Sequence, residues 1–326
     1  MTSGEVGVAD VTAAAALPER LAEWRTGRAG SPPRTRFAPA PTGFLHLGHV
    51  ANAIYVWGVA ALAGASVTLR IEDHDRSRCR RGFETALLDD LEWLGFLPDE
   101  PAIPALRGGA SAFRQSDSGE VYAAALDELR SAGLVYACDC TRSTFAAWET
   151  AHGRPFADPG CPGECRRRAL AEEPGRGVRV VVGGGEERFE DLRLGPQRGD
   201  PSASGDLLAR DRNGQWTYIF AVVVDDMRHG IDLVIRGEDL LADTPRQLRL
   251  GRLVGRTAVP AFLHHSLIRK ASGAKLSKAD GDTSIRELRR DGATAAALIG
   301  RAAAVVGLID RWRPIPAADV RSLFER

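Results

Sequence analysis

From about Thr35 the chain alternates between strand-like and helix-like hydrophobic periods. Arg36-Phe37-Ala38 is a short strand-like run that meets Pro39-Ala40-Pro41-Thr42-Gly43, where two prolines and a glycine halt regular structure. Apolar spacing predicts a helix from about Gly48 to Ala63. Val67-Thr68-Leu69-Arg70-Ile71, bounded by Gly64 and Glu72-Asp73, predicts a buried strand. Strand, loop, helix and strand in so short a span form a βαβ unit of parallel sheet. Helices are expected over Phe83–Leu94 and Glu120–Ser131, then an irregular stretch from Cys138 to Arg168 and a polar strand-like region to about Pro201. The buried-strand pattern returns at Trp216–Val224 and Ile231–Ile235, so the sheet is expected to be split by an insertion over roughly 138–205. From Ser284 the pattern is helical and short. Residues 1–33 read as a peripheral extension with a short helix around Leu17–Trp24.

Composition narrows the class. The chain has 326 residues, 44% hydrophobic and 26% charged, ordinary values for a globular protein of two domains or of one with a large insertion. No run approaches the roughly 18 apolar residues of a membrane span, and Met1–Leu17 lacks the basic start of a signal peptide. A cytoplasmic protein is expected. With 43 basic and 43 acidic residues, a nucleic-acid partner needs locally segregated charge, for which Arg166-Arg167-Arg168 and the arginines from Arg286 to Arg313 are candidates. Five cysteines are too few for a disulfide scaffold. Cys138 with Cys140 and Cys161 with Cys165 form two tight pairs in a Pro/Gly-rich segment, which favours a closed metal site over four reduced thiols; Cys79 stands alone.

The basic residues are unevenly chosen. All three lysines, Lys270, Lys275 and Lys278, fall in one glycine-containing loop, and every other basic residue is arginine. A compact ammonium kept only there points to polyphosphate binding. His46-Leu47-Gly48-His49 stands where a turn enters a helix, a place whose unpaired amides and dipole favour an anion.

Together these segments resemble a known family. Arg36 to Gly43 followed by His46-Leu47-Gly48-His49 resembles the opening of glutamyl-type class I aminoacyl-tRNA synthetases with their HIGH motif. Lys275-Leu276-Ser277-Lys278-Ala279 resembles their KMSKS motif, and Leu69-Arg70-Ile71-Glu72-Asp73-His74-Asp75 their L-R-I-E-D-T-D segment. Thr217-Tyr218 through Asp225-Asp226, Ile235 to Leu240 and Thr244-Pro245-Arg246-Gln247 resemble the second half. Ala40 and Ala279 replace serines frequent in the motifs, and His49 is a histidine that many members lack. The short stretch after the lysine loop, without the mass of an anticodon-binding domain, and the paired cysteines are similar to a shortened branch, the glutamyl-queuosine tRNA(Asp) synthetases. That branch binds zinc at the corresponding place and commonly has a tyrosine where Cys161 stands.

The resemblance implies an α/β fold: a Rossmann-type parallel sheet interrupted by a zinc-containing insertion, with a short helical C-terminal region. The expected division is 1–33 extension, 34–137 and 206–262 catalytic halves, 138–205 zinc-binding insertion, and 263–326 lysine loop and helices. It implies His46, His49 and Lys278 as catalytic. Arg36, Phe37, Ala38, Pro39, Ala40, Glu72, Tyr218 and Arg236 would hold glutamate, the two arginines gripping carboxylates bidentately and Glu72 taking the ammonium. His46, Gly48, His49, Lys275, Ser277 and Lys278 would hold ATP. Cys138, Cys140, Cys161 and Cys165 would hold one structural zinc, and magnesium would accompany ATP. The implied partners of this expected monomer are ATP, L-glutamate and queuosine-containing tRNA(Asp). A truncated enzyme charging tRNA(Glu), and a silent tRNA-binding paralogue, are the alternatives.

Overall fold

The computed structural model describes residues 17–27, 30–153, 161, 163–268 and 283–325. Lys275, Ser277 and Lys278 lie outside these residues. Strand β1 (Arg34–Phe37) pairs in parallel with β2 (Ser66–Leu69), and α2 (Leu47–Ala63) connects them. The long apolar run of α2 is buried on most of its circumference because it meets the sheet on one side and helices on the others. It packs against β1, β2, α1 (Leu17–Thr26), α11 (Ala295–Val305) and a C-terminal 3-10 segment (Ala317–Phe324). Gly58 lets that segment close in, since a Cβ there would lie 2.3 Å from the Phe324 ring.

A second parallel pair joins β8 (Leu233–Gly237) to β9 (Ala261–His265), and β5 (Glu187–Asp191) and β6 (Gly195–Gly199) extend it in the order β6-β5-β9-β8. The start of β8 meets β1 through a bond from Asp232 N to Arg34 O of 2.9 Å. A separate antiparallel sheet holds β3 (Val135–Cys138), β4 (Gly177–Val180) and β7 (Leu207–Arg210). Thus β5 and β6 lie between 138 and 205 in sequence yet belong to the sheet of β8 and β9. No helix among the described residues is long and apolar enough to cross a membrane.

Two expectations need correction. The run Trp216–Val224 is not a strand: helix α8 spans Tyr218–Arg228. Its residues Phe220 to Asp226 are all buried, so the sequence carries no exposed polar position to reveal a period of 3.6. The stretch from Cys138 to Arg168 is not wholly irregular. It contains α6 (Arg142–His152), started by a Thr141–Thr144 capping box, and the single turn α7 (Glu164–Arg168).

Helix α3 (Arg81–Leu94) packs against α10 (Ile285–Arg290), the first described element after the lysine segment. Asp90 at this contact is 3% exposed, and its Oδ2 has no hydrogen-bond partner among the described residues. Burial pushes its carboxyl up to about 6, with Arg289 opposing. A raised acid pKa means that ionisation opposes folding: the penalty is full above the folded pKa and is relieved as pH falls toward the unfolded value. Asp90→Asn should therefore stabilise the protein at pH 8 by on the order of 2 kcal/mol in urea unfolding, with the gain vanishing near pH 4. A loss of stability at pH 8 contradicts this account.

Candidate functional site: a charged cavity at the strand ends

A cavity of about 1090 Å³ opens at the carboxyl ends of β1, β8 and β9 and the start of α2, the position at which open α/β sheets bind ligands. Beyond the β1–β2 ladder the two chains stay joined. Arg70 N donates to Phe37 O at 3.0 Å and Glu72 N to Pro39 O at 3.1 Å. Pro39 has no N–H to offer and accepts only. This continuation carries Glu72 to the cavity wall opposite Arg36.

His46 is the N-cap of α2. Its Nδ1 accepts from Gly48 N at 3.1 Å, while His46 N donates to His49 Nδ1 at 3.2 Å. Because both Nδ1 atoms accept, the hydrogen of each neutral ring sits on Nε2. The rings lie 4.1 Å apart. Gly48 is required by His46 itself, for a Cβ would fall 2.9 Å from the ring's Cε1. His46 also bridges to Ser284, and Ile285 N donates to Leu45 O at 2.8 Å. Ile268, the last described residue before the lysine segment, and Ser284, the second described residue after it, both line the cavity.

Beneath the floor lies a buried ion network. Arg70, fully buried, donates from Nη1 to Asp226 at 2.6 Å and from Nη2 to Glu72 at 3.1 Å, with its Nε 3.6 Å from Asp225. Arg36 donates from Nε to both Asp226 oxygens at 3.2 and 3.3 Å and from Nη1 to Ile235 O at 3.1 Å. Asp225 accepts from Gln115, Tyr122 and Arg228. Burial alone raises the Asp226 carboxyl, but Arg36 and Arg70 outweigh it and hold the group at about 2. For Glu72 burial wins over Arg70 and Arg36, and its pKa is raised. Burial likewise pushes Tyr218 up to about 12, and its hydroxyl makes no hydrogen bond among the described residues.

Arg236 differs from Arg36 and Arg70. It is 4% exposed and makes no ion pair with a carboxylate among the described residues. Nε donates to His264 Nε2 at 3.0 Å, Nη1 to Gln247 Oε1 at 2.5 Å, and Nη2 to Leu240 O and Thr244 Oγ1 at 3.3 and 2.8 Å. Four of its five N–H groups are thus committed, so a bidentate grip is open to Arg36 but not to Arg236, which keeps one donor and its full charge.

Arg36, Phe37, Ala38, Pro39, Ala40, His46, Gly48, His49, Glu72, Tyr218 and Arg236 all border this one cavity. Sequence reasoning passed over Arg70, Asp225, Asp226 and His264 as site components. The signal available was an arginine inside a buried strand and two adjacent carboxylates inside an apolar run.

The four paired cysteines come together elsewhere, at the end of β3 and the start of α7, with all sulfurs within 4.8 Å of one another. Cys140 Sγ lies 3.4 Å from Cys165 Sγ and 3.8 Å from Cys161 Sγ. Those spacings are near the roughly 3.8 Å edge of a tetrahedron of sulfurs about 2.3 Å from a central zinc, so the cluster can hold a metal ion. Arg179 Nε donates to Cys138 Sγ at 3.2 Å, and Arg168 clasps Asp139 beside the cluster. Bonds from Cys138 and Cys140 hold the Cys161 thiol well below its ordinary range.

The family model described as tRNA synthetases class I (E and Q), catalytic domain, matches residues 33–307. The chain belongs to this family. A class I aminoacyl-tRNA synthetase is a ligase, and this chain is one by descent. It is 38% identical over 298 residues to the glutamyl-Q tRNA(Asp) synthetase of Symbiobacterium thermophilum, covering 89% of this chain and 91% of that one. It is 39% identical over 302 residues to that of Nitratidesulfovibrio vulgaris, with the same coverage. Against glutamate–tRNA ligase 2 of Syntrophus aciditrophicus it is 39% identical over 290 residues but spans only 59% of that protein. The crystal structure of a glutamate tRNA ligase from Elizabethkingia meningosepticum, in complex with its amino acid, superposes with a TM-score of 0.73 at 28% identity, over 90% of this chain and 66% of that one.

In this synthetase the Arg70 network should be the most sensitive point of the catalytic layer. Arg70→Met leaves buried carboxylates without their counter-charge and should lower stability by about 3–5 kcal/mol in urea unfolding at pH 7. Asp226, held at about 2, contributes stability that is full above the unfolded carboxylate pKa and lost as pH falls through the folded one. The difference between wild type and variant should therefore shrink below about pH 4. A difference under about 1 kcal/mol at pH 7 is incompatible with this role.

Proposed function

We propose that this chain activates L-glutamate with ATP and transfers it to the queuosine base of tRNA(Asp). The observation that carries the amino-acid part is Arg236, a buried guanidinium with no carboxylate partner among the described residues, beside the unbonded Tyr218 hydroxyl on the cavity wall. A buried cation without a counter-ion is expensive, and an anionic substrate supplies what is missing. Arg36 offers the bidentate fork for a second carboxylate. Glu72 provides the anion for the ammonium.

In the first step a substrate carboxylate oxygen attacks the α-phosphorus of ATP in line and pyrophosphate leaves. No protein nucleophile is needed. His46 and His49, with hydrogens on Nε2, donate to phosphate oxygens at the positive end of α2, and Lys278 adds a point charge from a segment whose flanks reach the cavity. Magnesium, bound with ATP, would supply further neutralisation of phosphate charge. In the second step a hydroxyl of the acceptor attacks the acyl carbon and AMP leaves. The queuosine acceptor is supported by the relatives bearing that name, which this chain spans for 91% of their length. The Rossmann-type reading of the sheet is supported by the parallel pairs β1–β2 and β8–β9.

Purified protein should support glutamate-dependent pyrophosphate exchange without tRNA, and should label queuosine-containing tRNA(Asp) but neither unmodified tRNA(Asp) nor tRNA(Glu). Label on the 3′ end of tRNA(Glu) overturns the queuosine assignment in favour of a glutamate–tRNA ligase, and no exchange in any combination overturns the activity.

The same reading gives Cys138, Cys140, Cys161 and Cys165 one structural zinc. Four thiolates close the tetrahedron and leave no position for a reacting water. Elemental analysis of chelator-free protein should find about one zinc per chain, and Cys161→Ser should lower that content while sparing pyrophosphate exchange more than tRNA labelling. Four freely titrating thiols in native protein would rule the zinc out.

A further inference from the structure

β5 meets β9 in parallel at a single register pair, Asp191 with Phe262, and this sets the Asp191 side chain beside His264. Asp191 Oδ2 lies 2.6 Å from His264 Nδ1 and 3.0 Å from His264 N, while Oδ1 accepts from Arg193 N and Leu194 N at 3.0 and 2.8 Å. Both side chains are completely buried. On the far side of the ring, Nε2 lies 3.0 Å from Arg236 Nε. A guanidinium can only donate, so His264 Nε2 must carry the lone pair and Nδ1 the hydrogen that Asp191 receives. The tautomer is thus set by its neighbours. Burial and the Arg236 charge keep the imidazole neutral, its pKa lowered against the pull of Asp191. Phe262 stacks on His264 with ring planes 9° apart and also lies under the Arg236 guanidinium.

We propose that Asp191 and His264 act as a relay that orients Arg236 and passes part of the Asp191 charge to it through the imidazole. His264 is then a positioning residue for amino-acid binding. A direct carboxylate partner would neutralise Arg236 and occupy it. A neutral imidazole instead fixes the plane of the guanidinium and leaves its net charge for the substrate. Asp226 and Asp243 act on Arg236 from a distance, and Asp191 adds to them through the ring without touching the guanidinium. The proposal rests on the reading of Arg236 as a contact to the substrate carboxylate.

Pyrophosphate exchange with His264→Phe, His264→Gln and Arg236→Lys tests it, with the melting temperature of each variant as control. His264→Phe keeps the stacked ring and removes the acceptor. It should raise the KM for glutamate on the order of ten-fold and leave the KM for ATP within about two-fold. His264→Gln, which restores an acceptor, should recover part of the loss. If His264→Phe folds and its glutamate KM is unchanged while Arg236→Lys raises it, the relay is wrong. If Arg236→Lys also leaves the glutamate KM unchanged, the contact reading fails and the relay with it. Should His264→Phe not fold, the wild-type protein decides by proton NMR. The downfield, solvent-protected Nδ1–H resonance of His264 should shift when glutamate alone is added; an unmoved resonance at saturating glutamate overturns the proposal.

Discussion

The arrangement of the catalytic layer turns on Arg70. It projects from the end of β2 into a space walled by β1 and α8, where Glu72, Asp225 and Asp226 surround it. Three carboxylates placed this close, without water, would repel one another and take up protons. The guanidinium makes them mutually tolerable and thereby fixes α8 against β1 and β2. Arg36 can then share Asp226 and still reach Ile235 O at the end of β8. Strand β1, strand β8 and helix α8 are thus locked at the point where the cavity begins, and the groups that line the cavity inherit their positions from that lock.

Two kinds of buried arginine serve the cavity, and the contrast bears on how charge is made available. Arg36 and Arg70 are balanced by carboxylates, so they contribute shape and hydrogen-bond direction more than net potential. Arg236 is held by His264, Gln247, Thr244 and the Leu240 carbonyl, all neutral, and its charge is not cancelled by any direct contact. The proposed dianionic, monocationic substrate would meet one fork already in place, one charge without a direct carboxylate partner among the described residues, and one carboxylate. On that proposal the two arginines would serve different ends, a bidentate fork from Arg36 and a single donor with its full charge from Arg236.

Much of the local structure was legible in the sequence because each element has a distinct period and distinct ends. α2 runs from the His46 cap to Gly64 in the left-handed conformation, and α3 ends at Gly95 in the same way; such boundaries are written in single residues. The cysteine cluster was legible from spacing alone. α8 was not, because a helix buried all round has the composition of a buried strand. The ion network was not legible either. Arg70 and Asp226 are 156 positions apart, and nothing local to either marks the other as its partner. For the same reason nothing local to His264 marks it as a component of the site; its contacts with Asp191 and Arg236 do.

The chain's preference for arginine over lysine also acquires a structural meaning at these positions. On an open surface either cation serves, and arginine answers no structural demand there. That is not so for Arg36 and Arg236, which address separate partners from Nε and from the Nη atoms in one plane, or for Arg70, which divides Asp226 and Glu72 between its two Nη atoms. A lysine ammonium has its three hydrogens on a single atom and cannot span from α8 to β8, or from β9 to α9 (Thr244–Leu253), without moving one of them. The planar fork therefore sets the spacing of the elements it joins. The opposite demand, a mobile point charge on a phosphate, is the one the three lysines suit, and the chain keeps them in the one segment where that demand is expected.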